Sequence, residues 1–298
     1  MADPGTVVIL NPGAAGGKTM KELPRIHGIL KRLGTPYVIY VTKGPNDAIG
    51  ASRKYAEEGA SRILGVGGDG TISEVANGIY QSGASPAFGV VPVGHGSDFA
   101  RTLGISGSIE QAVLHACERA ATPADLGLVT WDNGKSRVFI NVAGMGFDAL
   151  VATKVGKSHL PGSNLPYLAS ALSTLATFTN IDVRVDADGQ IIETPGVFVQ
   201  VANAQYMGGG FHIAPMAEIS DGYLDVCIVG DFSKLELIRQ IPGVYKGKHV
   251  GHSKFTHVRA KTIRIETQHL ANVQLDGEVL EPAPVTFTVL PGAIQLVQ

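Results

Sequence analysis

A glycine-rich turn with a single carboxylate is the feature of this sequence best suited to chemistry. Residues 65–71 read Gly-Val-Gly-Gly-Asp-Gly-Thr, after the apolar run 62–64 and before a helical pattern from Ile72. Glycines let backbone N–H groups approach an anion, and the following helix adds its positive end. Asp69 would repel a phosphate unless a cation stands between them or the carboxylate handles a proton. The turn therefore predicts nucleotide-phosphate chemistry with Mg²⁺; the alternative is that Asp69 only caps the helix.

A second glycine-rich loop follows the apolar run 6–10. Residues 11–19 read Asn-Pro-Gly-Ala-Ala-Gly-Gly-Lys-Thr, which ends like a P-loop. A P-loop would require glycine at position 12, and the Pro12 found there lacks the N–H group that such a loop uses. The segment is therefore either a different phosphate-binding loop or a mobile glycine-rich connection.

Three later segments also carry polar residues next to glycines. They read Pro-Val-Gly-His-Gly-Ser-Asp-Phe-Ala-Arg at 92–101, Asp-Gly-Tyr-Leu-Asp at 221–225 and Leu-Asp-Gly-Glu at 275–278. A carboxylate with carbonyl oxygens suits a hard cation, and phosphoryl transfer to an alcohol needs a group that accepts the hydroxyl proton. On their residues alone, the Asp-Gly pair at 221–222 has a β-turn as its alternative interpretation, and the pair at 276–277 indicates an ordinary hairpin after a strand.

Taken together, these segments resemble the diacylglycerol kinase catalytic-domain superfamily, which includes bacterial diacylglycerol kinases and sphingosine kinases. Residues 67–71 with Glu74 and Asn77 resemble the nucleotide motif of this superfamily, but NAD kinases and ATP-dependent phosphofructokinases share its Gly-Gly-Asp-Gly core, so this element alone does not choose among them. The longer signature from Asn203 to Asp225 favours the lipid kinases. Residues 139–148 also resemble a family segment, although a glycine-rich strand end would look the same.

The resemblance implies that ATP and Mg²⁺ bind to the N-terminal half of the chain. The nucleotide-binding positions that it implies are Asn11, Pro12, Gly13, Ala14, Ala15, Lys18, Thr42, Gly67, Gly68, Asp69, Gly70, Thr71, Glu74, His95 and Asp98.

The same resemblance implies roles for the acidic residues. Asp69 binds the catalytic Mg²⁺, directly or through water, and Glu278 is the general base, with Asp276 as the alternative. A structural Mg²⁺ ion is expected at Asp221 together with main-chain oxygens of Glu218 and Tyr223.

Two positions depart from the family pattern. The family has threonine and asparagine where this chain has His95 and Ser97, so an imidazole replaces a hydroxyl group that could bond a phosphate. An imidazole donates one N–H group or accepts a proton. The departure therefore weakens the expectation that this chain binds phosphate as tightly as the family does, or that it uses the same nucleotide.

Residues 1–125 are predicted to form an α/β domain with a Rossmann-like open parallel sheet, similar in the resembled family to NAD kinase and phosphofructokinase. Short apolar runs typical of buried parallel strands lie at 6–10, 37–41, 63–66 and 88–91. Helical spacing occurs at 26–33, where Pro24 fits if the helix starts there, at 72–79, and after a capping box at Ser108.

Residues 126–289 are predicted to form an antiparallel, all-β sandwich that carries the lipid substrate. A hairpin turn at 132–134 separates strands 126–131 and 137–142, and a second capping box opens a helix at Ser233. Another helix is predicted through Leu165 and Leu175. The remaining predicted strands are 181–186, 191–194, 197–201, 224–229, 261–266, 285–289 and 294–297. In the resembled family the last strand, about 290–298, returns to the first domain.

Composition limits the partners. The net charge of −2 gives no reason to expect nucleic acid, and the two cysteines give neither a disulfide framework nor metal spacing. No apolar run approaches the roughly 20 residues that cross a bilayer, and the N-terminus lacks a signal-peptide pattern. We therefore expect a soluble cytoplasmic protein with peripheral membrane contact, and the basic segment 246–261 is the candidate docking surface.

The sequence predicts an ATP-dependent lipid kinase that phosphorylates the hydroxyl of diacylglycerol or a similar lipid alcohol. One alternative is a NAD or sugar-phosphate kinase, and another is a nucleotide- or lipid-binding regulatory protein of weak activity, suggested by His95 and Ser97. The identity of the lipid and the formation of a homodimer are left open.

Overall fold

The computed structural model describes residues 5–94, 97–147, 149–150, 173–174, 178, 180–268 and 271–298. The chain divides into two compact units, one formed by Met1–Ala124 with Gly292–Gln298 and the other by Asp125–Pro291. His95, Asp148 and all of the predicted helix through 165–175 except residues 173–174 lie outside the described residues.

The first unit contains a parallel sheet. Strands β1 (Thr6–Leu10), β2 (Tyr37–Val41), β3 (Arg62–Gly67) and β4 (Ala87–Pro92) are arranged in the order β2-β1-β3-β4, and all three pairings are parallel. The side chains of β1, β3 and β4 are mostly buried, as expected for a parallel sheet covered on both faces, whereas those of the edge strand β2 are partly buried or exposed. This confirms the predicted α/β fold of the N-terminal half.

Helices cover the sheet of the first unit. They are α1 (Lys18–Leu33), α2 (Asp47–Glu57), α3 (Asp69–Ser82), α4 (Asp98–Thr102) and α5 (Ile109–Glu118), and a 3-10 turn at Ala14–Gly17 precedes α1. Helices α2 and α3 approach closely at Gly78, where an added Cβ would lie 1.9 Å from the Ser52 hydroxyl oxygen. The capping box predicted at Ser108 is present at the start of α5.

Two local predictions for the first unit were wrong. Helix α1 begins at Lys18 rather than near Pro24, which lies inside the helix on its exposed side. There the carbonyl of Met20, left without its usual N–H donor, can be hydrated. Helices α2 and α4 were not predicted, because their few apolar residues give a weak periodic pattern.

The second unit consists mainly of antiparallel strands. In chain order its strands, of which the first begins and the last ends in the first unit, are β5 (Ala121–Trp131), β6 (Ser136–Phe139), β7 (Val142–Gly146), β8 (Ile181–Ala187), β9 (Gln190–Gly196), β10 (Phe198–Ala202), β11 (Tyr206–Met207), β12 (Phe211–His212), β13 (Leu224–Val229), β14 (Phe255–Ala260), β15 (Thr262–Thr267), β16 (Asn272–Leu275), β17 (Glu278–Pro282) and β18 (Val285–Val297). Helix α6 (Lys234–Val244) begins at the predicted capping box, and a 3-10 turn follows at Lys248–Gly251.

These strands form a sandwich of two sheets. One sheet has the order β14-β13-β10-β7-β16-β17, and the other contains β18, β15, β8 and β9 in neighbouring positions together with β5 and β6. Alternate side chains such as Val199 and Val201 on β10 and Ile263 and Ile265 on β15 join one buried apolar cluster between the sheets. The predicted β-sandwich is confirmed.

Several strand boundaries differ from the prediction. The predicted strand 137–142 is two strands, β6 and β7, which belong to different sheets. The predicted strands 285–289 and 294–297 are one strand, β18, which continues through the exposed residues Pro291 and Gly292. Strand β14 was not predicted, because polar residues interrupt its apolar pattern. The hairpin expected at the Asp-Gly pair 276–277 is present and consists of β16 and β17.

Candidate active site

The glycine-rich loops of the first unit lie at the carboxyl ends of its parallel strands, where ligands bind in open α/β sheets. The backbone holds these loops together. The N–H group of Asn11 donates to the carbonyl of Val66 (3.1 Å), and the N–H group of Val93 donates to the carbonyl of Gly67 (2.9 Å). The segments after β1, β3 and β4 therefore share one edge of the sheet.

Asn11 connects two of these loops through its side chain. Its Nδ2 donates to the Thr71 hydroxyl oxygen (3.0 Å), and its Oδ1 accepts from the N–H group of Gly13 (2.9 Å). Gly67 lets the turn close tightly, because an added Cβ would lie 2.6 Å from the Thr71 hydroxyl oxygen. Asn11 and Thr71 therefore shape the two loops.

The loop before α1 presents backbone donors. Ala15, Gly16 and Gly17 have left-handed φ angles of 51°, 66° and 84°, and glycine occupies the N-cap of α1. A glycine N-cap supplies no side-chain acceptor for the first N–H groups of the helix, so these groups are available to an anion. Lys18 is exposed in the same turn. This geometry suits a phosphate.

Asp69 uses both carboxylate oxygens to hold another loop. Its Oδ2 accepts from the N–H group of Asp98 (3.0 Å) and its Oδ1 accepts from the N–H group of Phe99 (2.9 Å), at the start of α4. Asp69 thus caps α4 rather than its own helix. Each oxygen retains further lone-pair capacity, so the carboxylate can still bind Mg²⁺ directly or through water.

Other predicted nucleotide residues also have structural contacts. The Glu74 carboxylate accepts from the N–H groups of Asn46 (3.0 Å) and Ala48 (3.2 Å) and so caps α2. Thr42 is buried, and its N–H group donates to the carbonyl of Leu10 (2.9 Å). Of the predicted nucleotide-binding residues, His95 alone lies outside the described ranges.

In the second unit, Asp276 anchors the chain between β6 and β7. Its Oδ2 accepts from the N–H group of Ile140 (3.1 Å), and its Oδ1 accepts from those of Asn141 (2.9 Å) and Val142 (3.2 Å). Asp276 itself has a left-handed φ of 48°. Its carboxylate therefore fixes the position where the two sheets exchange strands.

Glu278 lies two residues further on and makes a different set of contacts. Its Oε2 pairs with Arg137 Nη2 at 2.7 Å, and its side chain is 48% exposed. The carboxylate is thus held in one place and remains accessible. Sequence reasoning missed Arg137, because a lone arginine on a short strand carries no motif.

Two buried asparagines connect this turn to neighbouring strands. Asn203 Nδ2 donates to the carbonyls of Asp125 (3.1 Å) and Ile140 (2.8 Å), and Asn141 Nδ2 donates to the carbonyl of Tyr206 (2.9 Å). The Oδ1 atoms of both asparagines are buried without a hydrogen-bond partner in the described part of the chain. These oxygens can accept a hydrogen bond at the site.

The predicted structural metal position is occupied by protein contacts. The Asp221 carboxylate pairs with Arg259 and accepts from the N–H group of Tyr223 (3.0 Å), while burial raises the pKa of Asp221. Glu218 is exposed. Within the described ranges, no group of three or more histidine, cysteine or acidic side chains is arranged to hold a metal. A magnesium ion at Asp221 would therefore compete with the guanidinium.

The described residues include no helix that is both long and apolar enough to cross a membrane.

Comparisons with known proteins agree for both halves of the chain. A family model described as the diacylglycerol kinase catalytic domain matches residues 5–129, and the YegS C-terminal NAD kinase beta sandwich-like domain matches residues 141–298. A diacylglycerol kinase from Mycobacterium tuberculosis (strain CDC 1551 / Oshkosh) is 29% identical over 292 residues, with 97% of this chain and 94% of the relative covered.

Further relatives extend this result to structure. A diacylglycerol kinase from Staphylococcus carnosus (strain TM300) is 28% identical over 290 residues and covers 97% of this chain and 93% of its own. A crystal structure from Bacillus anthracis str. Sterne, presented as a candidate diacylglycerol kinase, has a TM-score of 0.82 and 26% identity. That similarity covers 100% of this chain and 96% of the other.

Proposed function

Because this chain belongs to the diacylglycerol kinase catalytic-domain superfamily, we propose that it is an ATP-dependent lipid kinase. It transfers the γ-phosphoryl group of ATP to the hydroxyl of diacylglycerol or of a similar lipid alcohol. The first unit binds the nucleotide, and the second unit binds the lipid.

The observation that carries this proposal is the pair of contacts at Asp276 and Glu278. Asp276 is committed to backbone N–H groups, whereas Glu278 is accessible and oriented by Arg137. A general base needs both access and a fixed position. Glu278 therefore accepts the hydroxyl proton as the lipid oxygen attacks the γ-phosphorus and ADP leaves. Asp276 positions the turn that carries Glu278.

The nucleotide half supplies binding and charge neutralisation. The N–H groups before and within the first turn of α1 bind phosphate oxygens, and Asn11 and Thr71 hold the adjoining loops in place. Asp69 would hold Mg²⁺, and the ion would supply charge neutralisation at the transferring phosphoryl group. The capping of α4 by Asp69 also supports the segment that contains Asp98.

A lipid-phosphorylation screen tests the proposal. The purified protein is incubated with labelled ATP and Mg²⁺ and with diacylglycerol, sphingoid base, glycerophospholipid or polyprenol in detergent micelles. NAD and sugar phosphates serve as comparison acceptors. We expect label in at least one lipid product and its loss in Glu278→Gln. Phosphorylation of NAD or a sugar phosphate in place of every lipid would overturn the proposal, as would the absence of any phosphorylated acceptor.

A further inference from the structure

Helix α6 turns an apolar stripe towards solvent. It contains no fully buried residue, whereas α3 in the first unit buries eight. Leu235 is 57% exposed, Ile238 44% and Tyr245, just after the helix, 38%. With the exposed Pro242 they follow the spacing i, i+3, i+7, i+10, which aligns them along one side of a helix. We call these four residues the α6 stripe.

The α6 stripe is separate from the side of the helix that packs on the protein. Leu237 and Val244 provide that packing, against apolar clusters that include Val229 and Cys227 respectively. Leu235 and Ile238 are therefore not needed to hold the helix in place, whereas Tyr245, just after the helix, also stacks on Phe211. An apolar stripe of this kind marks a contact surface.

Cations border the α6 stripe. Between positions 234 and 254 the sequence has five lysines or arginines and one carboxylate, in a chain whose net charge is −2. That carboxylate belongs to Glu236, and the Lys254 Nζ donates to both of its oxygens at 3.0 Å. Arg239, Lys246 and Lys248 are exposed and make no ion pair within the described part of the chain. An apolar stripe with cationic borders is typical of helices that lie in a membrane interface.

The basic segment 246–261 predicted from the sequence divides into two parts. Its C-terminal basic residues have partners in the protein. His257 contacts Asp225 at 2.6 Å, and Arg259 pairs with Asp221. Lys261 lies over the Tyr223 ring. The available charge is concentrated at Lys246 and Lys248, next to α6. Apolar and electrostatic attraction therefore coincide at one end of the segment.

Stacked rings and hydrogen bonds connect the α6 stripe to the candidate active site within the second unit. The Tyr245 ring stacks on Phe211 with centroids 4.3 Å apart, and Phe211 pairs with Met207 in the β11–β12 ribbon. The carbonyl of Tyr206 in that ribbon accepts from Asn141, whose N–H group donates to Asp276. A continuous series of contacts therefore runs from the α6 stripe to the turn that carries the proposed base.

We propose that the α6 stripe docks this protein on the surface of an anionic lipid bilayer. Leu235, Ile238 and Tyr245 enter the interface, and Arg239, Lys246 and Lys248 contact headgroup phosphates. The choice of a bilayer as the partner rests on the proposed lipid substrate, on the cationic border and on the connection to Asp276.

Vesicle sedimentation tests the surface without ATP or turnover. Vesicles of phosphatidylcholine with and without phosphatidylglycerol are mixed with the full-length protein or with Leu235→Gln/Ile238→Gln. We expect the double variant to lose about tenfold or more in vesicle affinity, because two apolar side chains no longer enter the interface. The matched control is Ile191→Gln, since Ile191 on β9 is 53% exposed but lies outside the stripe. The control should bind like the wild type.

The electrostatic part has its own test. Lys246→Gln/Lys248→Gln should weaken binding to phosphatidylglycerol vesicles and flatten its decline with salt, because fewer charges are then screened. The charge-matched control Lys31→Gln/Lys54→Gln, in α1 and α2, should leave the vesicle affinity and its dependence on salt unchanged. Equal binding by the α6 variants and their controls would overturn the proposal.

A spectroscopic reporter gives a positive readout that does not depend on loss of binding. Ile238→Trp keeps the apolar character, and the natural Trp131 is buried. Emission from the introduced indole should shift to the blue on vesicles, and no shift would count against docking at this position. Activity on a water-soluble, short-chain diacylglycerol should survive in Leu235→Gln/Ile238→Gln. If the wild type binds vesicles through the stripe but phosphorylates no lipid, the proposed kinase function fails and the docking surface stands.

Discussion

The turns at Asp69 and Asp276 place similar sequences in different structural roles. Asp69 follows a parallel strand and caps the short helix α4 through two N–H groups, whereas Asp276 connects antiparallel strands and holds three consecutive N–H groups. In both turns the aspartate next to glycine positions a second segment of chain. The accessible carboxylate of the second turn belongs to Glu278, two residues later. In both turns, therefore, the aspartate carboxylate makes structural hydrogen bonds to the backbone, whatever catalytic role it also has.

The largest loss of stability is expected for Asp276→Asn. An asparagine tolerates the left-handed conformation, so the change removes the charge and one acceptor while it preserves the backbone. An amide NH₂ group would then face an N–H donor at Ile140 or at Asn141 and Val142. Loss of these charge-assisted bonds should lower the free energy of unfolding by about 2–4 kcal/mol, measured by urea denaturation.

Asp188→Asn provides the matched control for this measurement. Asp188 also has a left-handed φ (50°), and its carboxylate accepts from the N–H groups of Lys261 (2.7 Å) and Thr262 (2.9 Å) on the exposed surface. We expect a loss of about 1 kcal/mol or less, because water replaces the lost bonds. Equal losses for the two variants would contradict the special role given to Asp276.

A smaller effect is expected for Asp69→Asn, about 1–2 kcal/mol in the free energy of unfolding, because two N–H groups are affected instead of three. Hydrogen exchange at Asp98 and Phe99 should become faster, and phosphorylation should be lost even at saturating Mg²⁺. Asp47→Asn is the control in the same unit, since Asp47 accepts from the N–H group of Lys43 (2.7 Å) and from the Tyr40 hydroxyl. It should lose stability while it keeps activity. Activity of Asp69→Asn close to that of the wild type would remove Asp69 from the proposed metal site.

The smallest effect on stability is expected for Glu278→Gln, about 0.5 kcal/mol or less, because the Glu278 side chain is 48% exposed and water can replace much of its ion pair with Arg137. If Glu278 is the base, the turnover number should nevertheless fall by about 10²–10⁴-fold. A soluble short-chain diacylglycerol is the acceptor for this measurement, so that membrane docking plays no part. Glu281→Gln, which breaks the nearby pair with Lys135, is the control and should keep full turnover. A pronounced loss of stability in Glu278→Gln would show that Glu278, like Asp276, is needed to hold its turn in place, and would contradict this prediction.

Sequence patterns predicted the elements that are apolar and regularly spaced. Strands β1, β2 and β13 have the predicted bounds, and both capping boxes are present at Ser108 and Ser233. Such features depend on neighbouring residues, which the sequence lists directly. The same reasoning missed α2, whose N-terminus is held by Glu74 from a different helix.

The contacts within the candidate site join residues that are far apart in the sequence. Sequence patterns therefore predicted them less well. Motifs indicated Asp69, Asp276 and Glu278 as acidic residues of interest, but not that the first two accept backbone N–H groups from 98–99 and 140–142. The pairing of Arg137 with Glu278 joins positions 141 residues apart. Spacing along a chain cannot predict such a pair without the register of the sheet.

Strand β18 has a consequence for the order in which the protein matures on the ribosome. Gln295 and Leu296 pair with Ala87 and Phe88 of β4, so the first unit receives one of its strands from residues 292–298. Until those residues have been synthesised, the edge of β4 is unpaired and can recruit another chain. The usual expectation that N-terminal domains finish folding first during synthesis therefore does not hold for this unit. The half of the protein translated first is the half completed last.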